Sequence, residues 1–545
     1  MPSAPRSHAE ENPMQCYTTF ELTFQGERPV GDEVAVDLSA TFTVAGETIR
    51  VEGFHAGDGV YKVRFLPRRP GTYRWRVSGL FDAEGREECL PAPVADAANG
   101  TVDVETGTET RWHADLSFLH GMVVPAGTRF RYDDGTPYRP FGTTVYALVH
   151  QSEELIDRTI KTLSSSPFNK VRLCVFPKHY FANTADPEWF PFEKTDGRFD
   201  PHRPCYRYWD ELERRIGQLR RMGIEADIIL FHPYDRWGFA EMTHEECLTY
   251  LDYATRRLAA LPNVWWSLAN EYDLMTKFDG RWWYDFAEFI GEHDPYHHPL
   301  SNHNFVNYWD FDEPDTTHCS VQNGHTRLVR DLIERHGKPV IFDEVGYEGN
   351  IMYDWGNLSS FELVDRFWIA FTLGGYCTHG ETFEDPDDVL WWARGGELHG
   401  ESPARIAFLR KIMESLPNDL EPAIGGAFGM PVDELLAMHQ SGEIPENAKG
   451  TMAEVIMRLD EKRFLDLVHD LRPIQGRSGD DVLVWYLSRQ CCAHTEIDLP
   501  DTRSYDVEVI DAWDMTRTTV LEGVRGKVTI PMLGKEGQAI IATAR

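Results

Sequence analysis

The sequence lacks most of the marks that would assign it quickly. Its nine cysteines form no CxxC pair, and the vicinal Cys491-Cys492 alone makes a poor zinc site. No HExxH, GxSxG or phosphate-loop glycine pattern occurs, so zinc-protease, serine-hydrolase and nucleotide-dependent readings have no footing. Apolar runs such as Ala226-Asp227-Ile228-Ile229-Leu230-Phe231 fall far short of the ~20 residues of a membrane-spanning helix. Positive charge is scarce too: 54 Lys and Arg against 88 Asp and Glu leave −34 at neutral pH. Such a field repels a phosphate backbone or an anionic leaflet. The short basic groups Arg214-Arg215 and Arg220-Arg221 sit at helical spacing beside acids and read as a solvated helix face. Neither nucleic acid nor a membrane is expected as a partner, and a neutral substrate fits the charge. Residues 1–12 lack the apolar core of a secretory signal. With an odd, scattered set of cysteines, this predicts free thiols in a cytoplasmic protein.

What is present is ordinary globular material, 42% hydrophobic and 26% charged over 545 residues, enough for several domains or a large barrel with additions. From about Thr18 to Val104 short runs alternate apolar and polar residues, as in Phe20-Glu21-Leu22-Thr23-Phe24 and Tyr73-Arg74-Trp75-Arg76-Val77. Glycine turns break them, which predicts an N-terminal β-sandwich over 1–108. The middle region, 109–418, changes rhythm. Apolar strands begin with 139–148, 169–176, 225–232 and 263–270, and continue through 299–304, 318–323, 339–346 and 374–380. Amphipathic helices separate them everywhere except after the fifth. Eight such units predict an α/β fold, a (β/α)8 TIM barrel. The tail, 419–545, mixes short helical stretches with a final β pattern and predicts a small C-terminal β domain.

In such barrels chemistry projects from the C-terminal strand ends. The polar residues there are Arg172, His232, Asn270, Glu271, Asn302, His303, Gln322, Glu344, His379 and Glu381. Glu271 closes the fourth strand and Glu344 the seventh. A carboxylate ending an apolar strand is costly unless paired or working, and two of them suggest a catalytic pair.

An Asn-Glu pair at Asn270-Glu271 and a second Glu at Glu344 resemble the clan-A retaining glycoside hydrolases. The stretch from Phe54 to Phe65, FHAGDGVYKVRF, resembles the β-sandwich in front of uncharacterised bacterial barrels of that clan. The resemblance implies Glu271 as acid/base, Glu344 as nucleophile, Asn270 bonded to the sugar 2-hydroxyl and Arg172 holding the nucleophile's charge. It also implies a Tyr at the end of the sixth strand, where this chain has Gln322; Tyr347 could replace it only if its loop folds back. His232, Asn302, Gln322, His379 and Glu381 are expected to line the same pocket. Of the sixteen Trp, Trp391 and Trp392 lie after the eighth strand, where an indole can stack on a sugar face. His297, His298, His303, His318 and His325 crowd one stretch without a ligand-like spacing, so no metal or cofactor is expected. The reading is an exo-acting β-glycosidase on small neutral oligosaccharides or glycosides, exo because a polymer would not reach the cytoplasm. A non-catalytic carbohydrate-binding barrel and a metal-dependent barrel hydrolase are the alternatives. The sugar, the linkage and homo-oligomerisation are left open.

Overall fold

Strands that must be buried on both faces come out so. In the computed structural model, which describes residues 6–7, 14–92, 120–384, 390–423, 432–444 and 446–545, the middle region forms eight parallel strands. They are Phe141–Thr144, Lys170–Cys174, Glu225–Phe231 and Val264–Ala269, then Leu300–Ser301, Cys319–Gln322, Val340–Glu344 and Tyr376–His379. Numbered in that order they pair as 5-4-3-2-1-8-7-6, and a parallel bridge between His303 and Ser320 joins fifth to sixth. The ring is therefore closed, as a (β/α)8 barrel requires.

The helices fall where the periodicity puts them: Glu153–Ser165, Tyr206–Arg221, His244–Leu258, Trp282–His293, Val329–His336, Ser360–Thr372 and Ser402–Ser415. Local chemistry sets their starts. Thr243 and Glu246 form a reciprocal capping box, and the Ser152 hydroxyl accepts from the Leu155 amide. Between Ser301 and Cys319 there is no helix.

Before the barrel lie two four-stranded antiparallel sheets. Alternation along Leu38–Val44 and Val60–Phe65 turns Phe42 and Phe65 toward each other, their rings stacked at 4.1 Å. The expected 108/109 boundary lies outside the described residues. The FHAGDGVYKVRF stretch turns out to grip the barrel's outer helices. Arg64 donates to Glu213 through both terminal nitrogens, at 2.7 and 3.0 Å, and to Glu21 at 2.9 Å. Arg257 also donates to Glu213, and the His55 ring bonds the Tyr206 hydroxyl at 2.6 Å. Burial alone would raise the Glu213 carboxyl, but the charges of Arg64 and Arg257 outweigh it and hold the group down at about 2. Removing one partner leaves the others charged and buried. Glu213→Gln should therefore destabilise the fold by about 3–5 kcal/mol at neutral pH. Because the folded pKa is lowered, the loss should shrink as pH falls from 4.5 toward 2. Denaturant titration of both proteins at pH 7 and pH 3 would show it.

By contact density the chain divides into two units. One gathers Met1–Gly324, Leu332–Leu363 and Tyr376–Pro403; the other gathers His325–Asp331, Val364–Gly375 and Ala404–Arg545. The second unit contains a six-stranded antiparallel sheet with Tyr505, Val507, Ile540 and Ala542 in its core. Short helices Val432–Ser441, Met452–Met457 and Glu461–Leu471 lie between its first strand, Glu421–Pro422, and its second, Gln475–Ser478. Among the described residues no helix is long and apolar enough to cross a membrane.

Candidate active site

Charge inside the barrel comes from strand alternation. Lys170 and Arg172 on the second strand both face the axis. The Lys170 ammonium donates to Asp227 at 2.5 Å and to Asp343 at 2.8 Å, while the Ser320 and Thr378 hydroxyls donate to Asp343 at 2.6 and 2.8 Å. These buried charges are paired, which is the condition for keeping them there. Arg172, one step higher, donates to Glu344 Oε1 at 3.5 Å and to Asn270 Oδ1 at 3.3 Å. Burial disfavours its charge, but the carboxylates of Asp343, Glu344 and Asp227 hold it fully protonated.

Two backbone irregularities aim the carboxylates. Asp343 faces the barrel interior, so simple alternation would send Glu344 outward. The pairing slips by one residue here, with Val321 opposite Phe342 but Gln322 opposite Glu344. This bulge re-aims Glu344 into the mouth of the barrel. Glu271 sits just past the fourth strand at φ +57° and ψ +54°, a left-handed conformation that costs a non-glycine residue about 1–2 kcal/mol. Strain of this kind clusters at working sites.

Both carboxylates line one cavity of about 400 Å³. The Tyr146 hydroxyl shares its one proton between Glu344 and Asn270 Oδ1, the latter 2.8 Å away. The Tyr234 hydroxyl donates to Glu271, and Asn270 Nδ2 donates to the same carboxylate at 3.0 Å. Asn270 thus ties the two acids into one network. Lys178 lies between the tyrosines, its ammonium 3.4 Å over the Tyr146 ring and 4.3 Å over that of Tyr234. Burial lowers its pKa, opposed in part by the charges of Glu271 and Glu344. Glu271 is pushed up to about 7 by burial and then by the charge of Glu344, with Lys178 pulling the other way. One carboxyl is therefore poised to hold a proton at neutral pH while its neighbour is bonded to a tyrosine and a guanidinium.

The walls are aromatic. Trp392 forms one side, with Trp355 at 5.0 Å and Tyr180 at 4.9 Å between ring centres. Phe181, Phe305, Tyr353 and Trp355 are partly open to solvent at the rim. Such a lining suits the apolar faces of sugars.

Of the residues expected from the sequence, Glu271, Gln322, Glu344 and Trp392 line the cavity, and Arg172 and Asn270 stand directly behind it. The others are corrections. Thr378 points to the axis, so the next residue, His379, points away and bonds Thr143 at 3.0 Å. Trp391 and Trp392 are successive on one helical turn, about 100° apart; Trp391 is buried and donates to Thr143 at 2.9 Å. Asn302 Oδ1 accepts from the Ala269 amide at 3.1 Å and pins the fourth strand to the fifth. His232 bonds the Phe176 carbonyl at 3.0 Å, and burial holds it at about 3, neutral. Glu381 accepts backbone amides of His399 and Gly400, at 2.5 and 2.9 Å, away from the cavity.

Sequence reasoning missed Tyr146, Lys178, Tyr180, Tyr234 and the 353–355 aromatics. They lie in the loops one to several residues beyond strand ends, and the signal was there in Lys178-His179-Tyr180-Phe181 and Tyr353-Asp354-Trp355. The hydroxyl expected from the sixth strand comes instead from Tyr146, after the first. Tyr347 also lines the cavity.

The raised Glu271 pKa has a consequence for stability. The unfolded carboxyl ionises near 4.5 and the folded one near 7, so wild-type stability falls as pH rises between those values. Glu271→Gln has no such proton to lose. Its melting temperature should match wild type near pH 4.5, rise above it progressively to pH 7 and keep that lead at higher pH. Thermal melts across pH 4–8 would measure it; equal profiles would show that Glu271 titrates normally.

The chain is similar to known proteins. Residues 125–418 match the apiosidase-like catalytic domain, with domains of unknown function matched on either side, DUF5060 over 13–79 and DUF5605 over 472–542. A candidate glycoside hydrolase of Bacteroides vulgatus ATCC 8482 is 32% identical over 98% of this chain and 100% of its own, with a TM-score of 0.80. A glycoside hydrolase family 5 protein of the same organism shares the fold at 16% identity, covering 78% of this chain and 94% of its own, with a TM-score of 0.57. No curated protein matches. With the catalytic-domain match spanning over half of its length, the chain belongs to the apiosidase-like family of glycoside-hydrolase-like barrels.

Proposed function

We propose that this protein is a retaining glycoside hydrolase that removes terminal sugars from β-glycosidic bonds of small neutral oligosaccharides or glycosides. Glu271 is the acid/base and Glu344 the nucleophile. The observation that carries the reading is the unequal treatment of two carboxylates in one aromatic cavity. Double displacement needs one carboxyl protonated and one ionised, about 5 Å apart. Glu271 is desolvated, with a proton held to about pH 7; Glu344 accepts from Tyr146 and Arg172.

Glu344 attacks the anomeric carbon while Glu271 gives its proton to the departing oxygen, leaving a glycosyl ester on Glu344. Glu271, now ionised, takes a proton from water, whose oxygen attacks the same carbon and frees Glu344. Asn270 has one Nδ2 proton beyond its bond to Glu271, and that proton suits the sugar 2-hydroxyl. Tyr146 and Arg172 take up the charge on Glu344 as the ester breaks. A cavity of about 400 Å³ lies at the small end of ligand sites, roughly 300–1,000 Å³, which supports a short ligand and terminal cleavage.

The test is turnover of aryl β-glycosides, with apiose, galactose, glucose, xylose and arabinose as glycones; apiose enters because the family bears its name. At least one should be hydrolysed, and the activity should vanish in Glu344→Ala. Its kcat/KM should fall above about pH 7 as Glu271 ionises. No turnover of any glycoside, or turnover untouched by Glu344→Ala, would overturn the proposal.

A further inference from the structure

Glu348, His379 and Glu381 are fully buried outside the cavity, and their potential ligand atoms lie within 4.8 Å of one another. The chain brings them together beyond the barrel rim, where Glu348–Gly349 and Glu381–Thr382 pair as a two-stranded parallel ladder. Glu348 accepts from the Ser360 hydroxyl and from the amides of Glu401 and Ser402, at 2.7 and 3.1 Å. Glu381 accepts the two amides already named. A carboxylate oxygen offers about two acceptor sites, so these bonds leave room on Glu348 Oε2 and on both oxygens of Glu381. Among the described residues neither carboxylate has a Lys or Arg partner.

The imidazole completes the set. His379 Nδ1 is bonded to Thr143 Oγ1, whereas Nε2 is buried with no hydrogen-bond partner. Thr143 Oγ1 can accept from both His379 Nδ1 and Trp391 Nε1, the tautomer that frees the Nε2 lone pair. A ligating histidine is commonly oriented in this way by its other nitrogen. Two buried carboxylates with no cationic side chain and an imidazole with one unpartnered nitrogen, their ligand atoms within 4.8 Å of one another, are costly without a cation.

We propose that Glu348, His379 and Glu381 form a structural site for a divalent transition metal of the zinc or manganese kind. The mixed donor set selects it: imidazole is a poor ligand for calcium or magnesium, which prefer oxygen alone. The metal would staple the loops after the seventh and eighth strands. Those loops carry the cavity wall: Tyr347 directly precedes Glu348, and Tyr353 and Trp355 follow it. Gly380, between the two eighth-strand ligands, lies under the Tyr347 ring, where a Cβ would come within 2.0 Å. The site therefore governs the shape of the wall and takes no part in bond breaking.

The test needs no substrate. The full chain, purified without a histidine tag and dialysed against a chelator, is titrated with Zn2+ and, separately, Mn2+ and Ca2+ by calorimetry, with thermal melts alongside. About one equivalent of Zn2+ or Mn2+ should bind and raise the melting temperature by several degrees, roughly as mass action requires. Binding should drop at least about tenfold in His379→Gln and Glu381→Gln; circular dichroism shows whether each variant is folded, and wild-type titration decides alone if neither is. No binding of Zn2+ or Mn2+ by the wild type, preference for Ca2+, or undiminished binding in folded variants would overturn the site. If a glycoside substrate is in hand, metal removal should raise KM more than it lowers kcat. A failure of that last arm with intact metal binding would count against the wall's role in substrate binding and leave the catalytic pair untouched.

Discussion

Glu344→Ala should lower hydrolysis of every glycoside substrate on the order of 10^5-fold, whatever the leaving group. The reason is that no second group can form the covalent ester. Asp343, next in sequence, is committed below to Lys170, Ser320 and Thr378, and Glu271 lies on the leaving-group side in the proposed arrangement. The deletion also leaves a hole beside Arg172 and the Tyr146 hydroxyl, a polar, cationic place for a small anion. Azide entering it should attack the anomeric carbon directly and give the α-glycosyl azide from an activated β-glycoside. Product analysis by NMR reads this unambiguously. A β-azide from this variant would exchange the two roles.

Glu271→Ala should separate substrates by leaving group. Natural alcohols, which need the proton, should lose about 10²–10⁴-fold or more, the usual weight of general acid catalysis. An activated nitrophenolate needs little protonation and should still depart. The second step then lacks its base, so a rapid burst of phenolate should precede slow turnover, and the glycosyl enzyme should accumulate. Azide needs no base and should restore turnover as the β-azide. Since Tyr234 and Asn270 both donate to this carboxylate, the variant also leaves two donors facing the cavity, ready to hold the anion. Equal losses for good and poor leaving groups would remove Glu271 from the acid's role.

The fold was legible because periodicity survives burial. Strands such as Glu225–Phe231 are buried throughout and apolar but for Glu225 and Asp227, and helices such as Tyr206–Arg221 carry one apolar face, so the eight units could be counted along the chain. The two acids were legible for a different reason, since a charge at the end of an apolar strand has few innocent explanations. What alternation could not show was direction. His379 and Glu344 both close apolar strands, yet a bulge turns Glu344 inward while regular pairing turns His379 out. Neither bulge nor strained turn has a residue signature here: Glu271 takes a left-handed conformation without being glycine, asparagine or aspartate. The loop residues were the least legible. Lys178 meets Tyr146 and Tyr234 across 32 and 56 positions of sequence, and only the closing of the ring brings them together. The Phe54–Phe65 stretch shows the reverse case, a stretch the resemblance was drawn from whose work is to hold the N-terminal sheets on helices of the barrel.

In the proposed mechanism Glu344 becomes covalently glycosylated, and the ester can be trapped. The wild-type enzyme is incubated with the activated 2-deoxy-2-fluoro form of whichever β-glycoside it hydrolyses, then digested and sequenced by mass spectrometry. The fluorine slows both steps by disfavouring the oxocarbenium-like state, and the good leaving group restores the first, so the ester persists. The expected result is one added fluoroglycosyl group on the peptide containing Glu344, and none in Glu344→Ala. A label on Glu271 or another residue, or no label from a compound that is nonetheless hydrolysed with inversion, would contradict it.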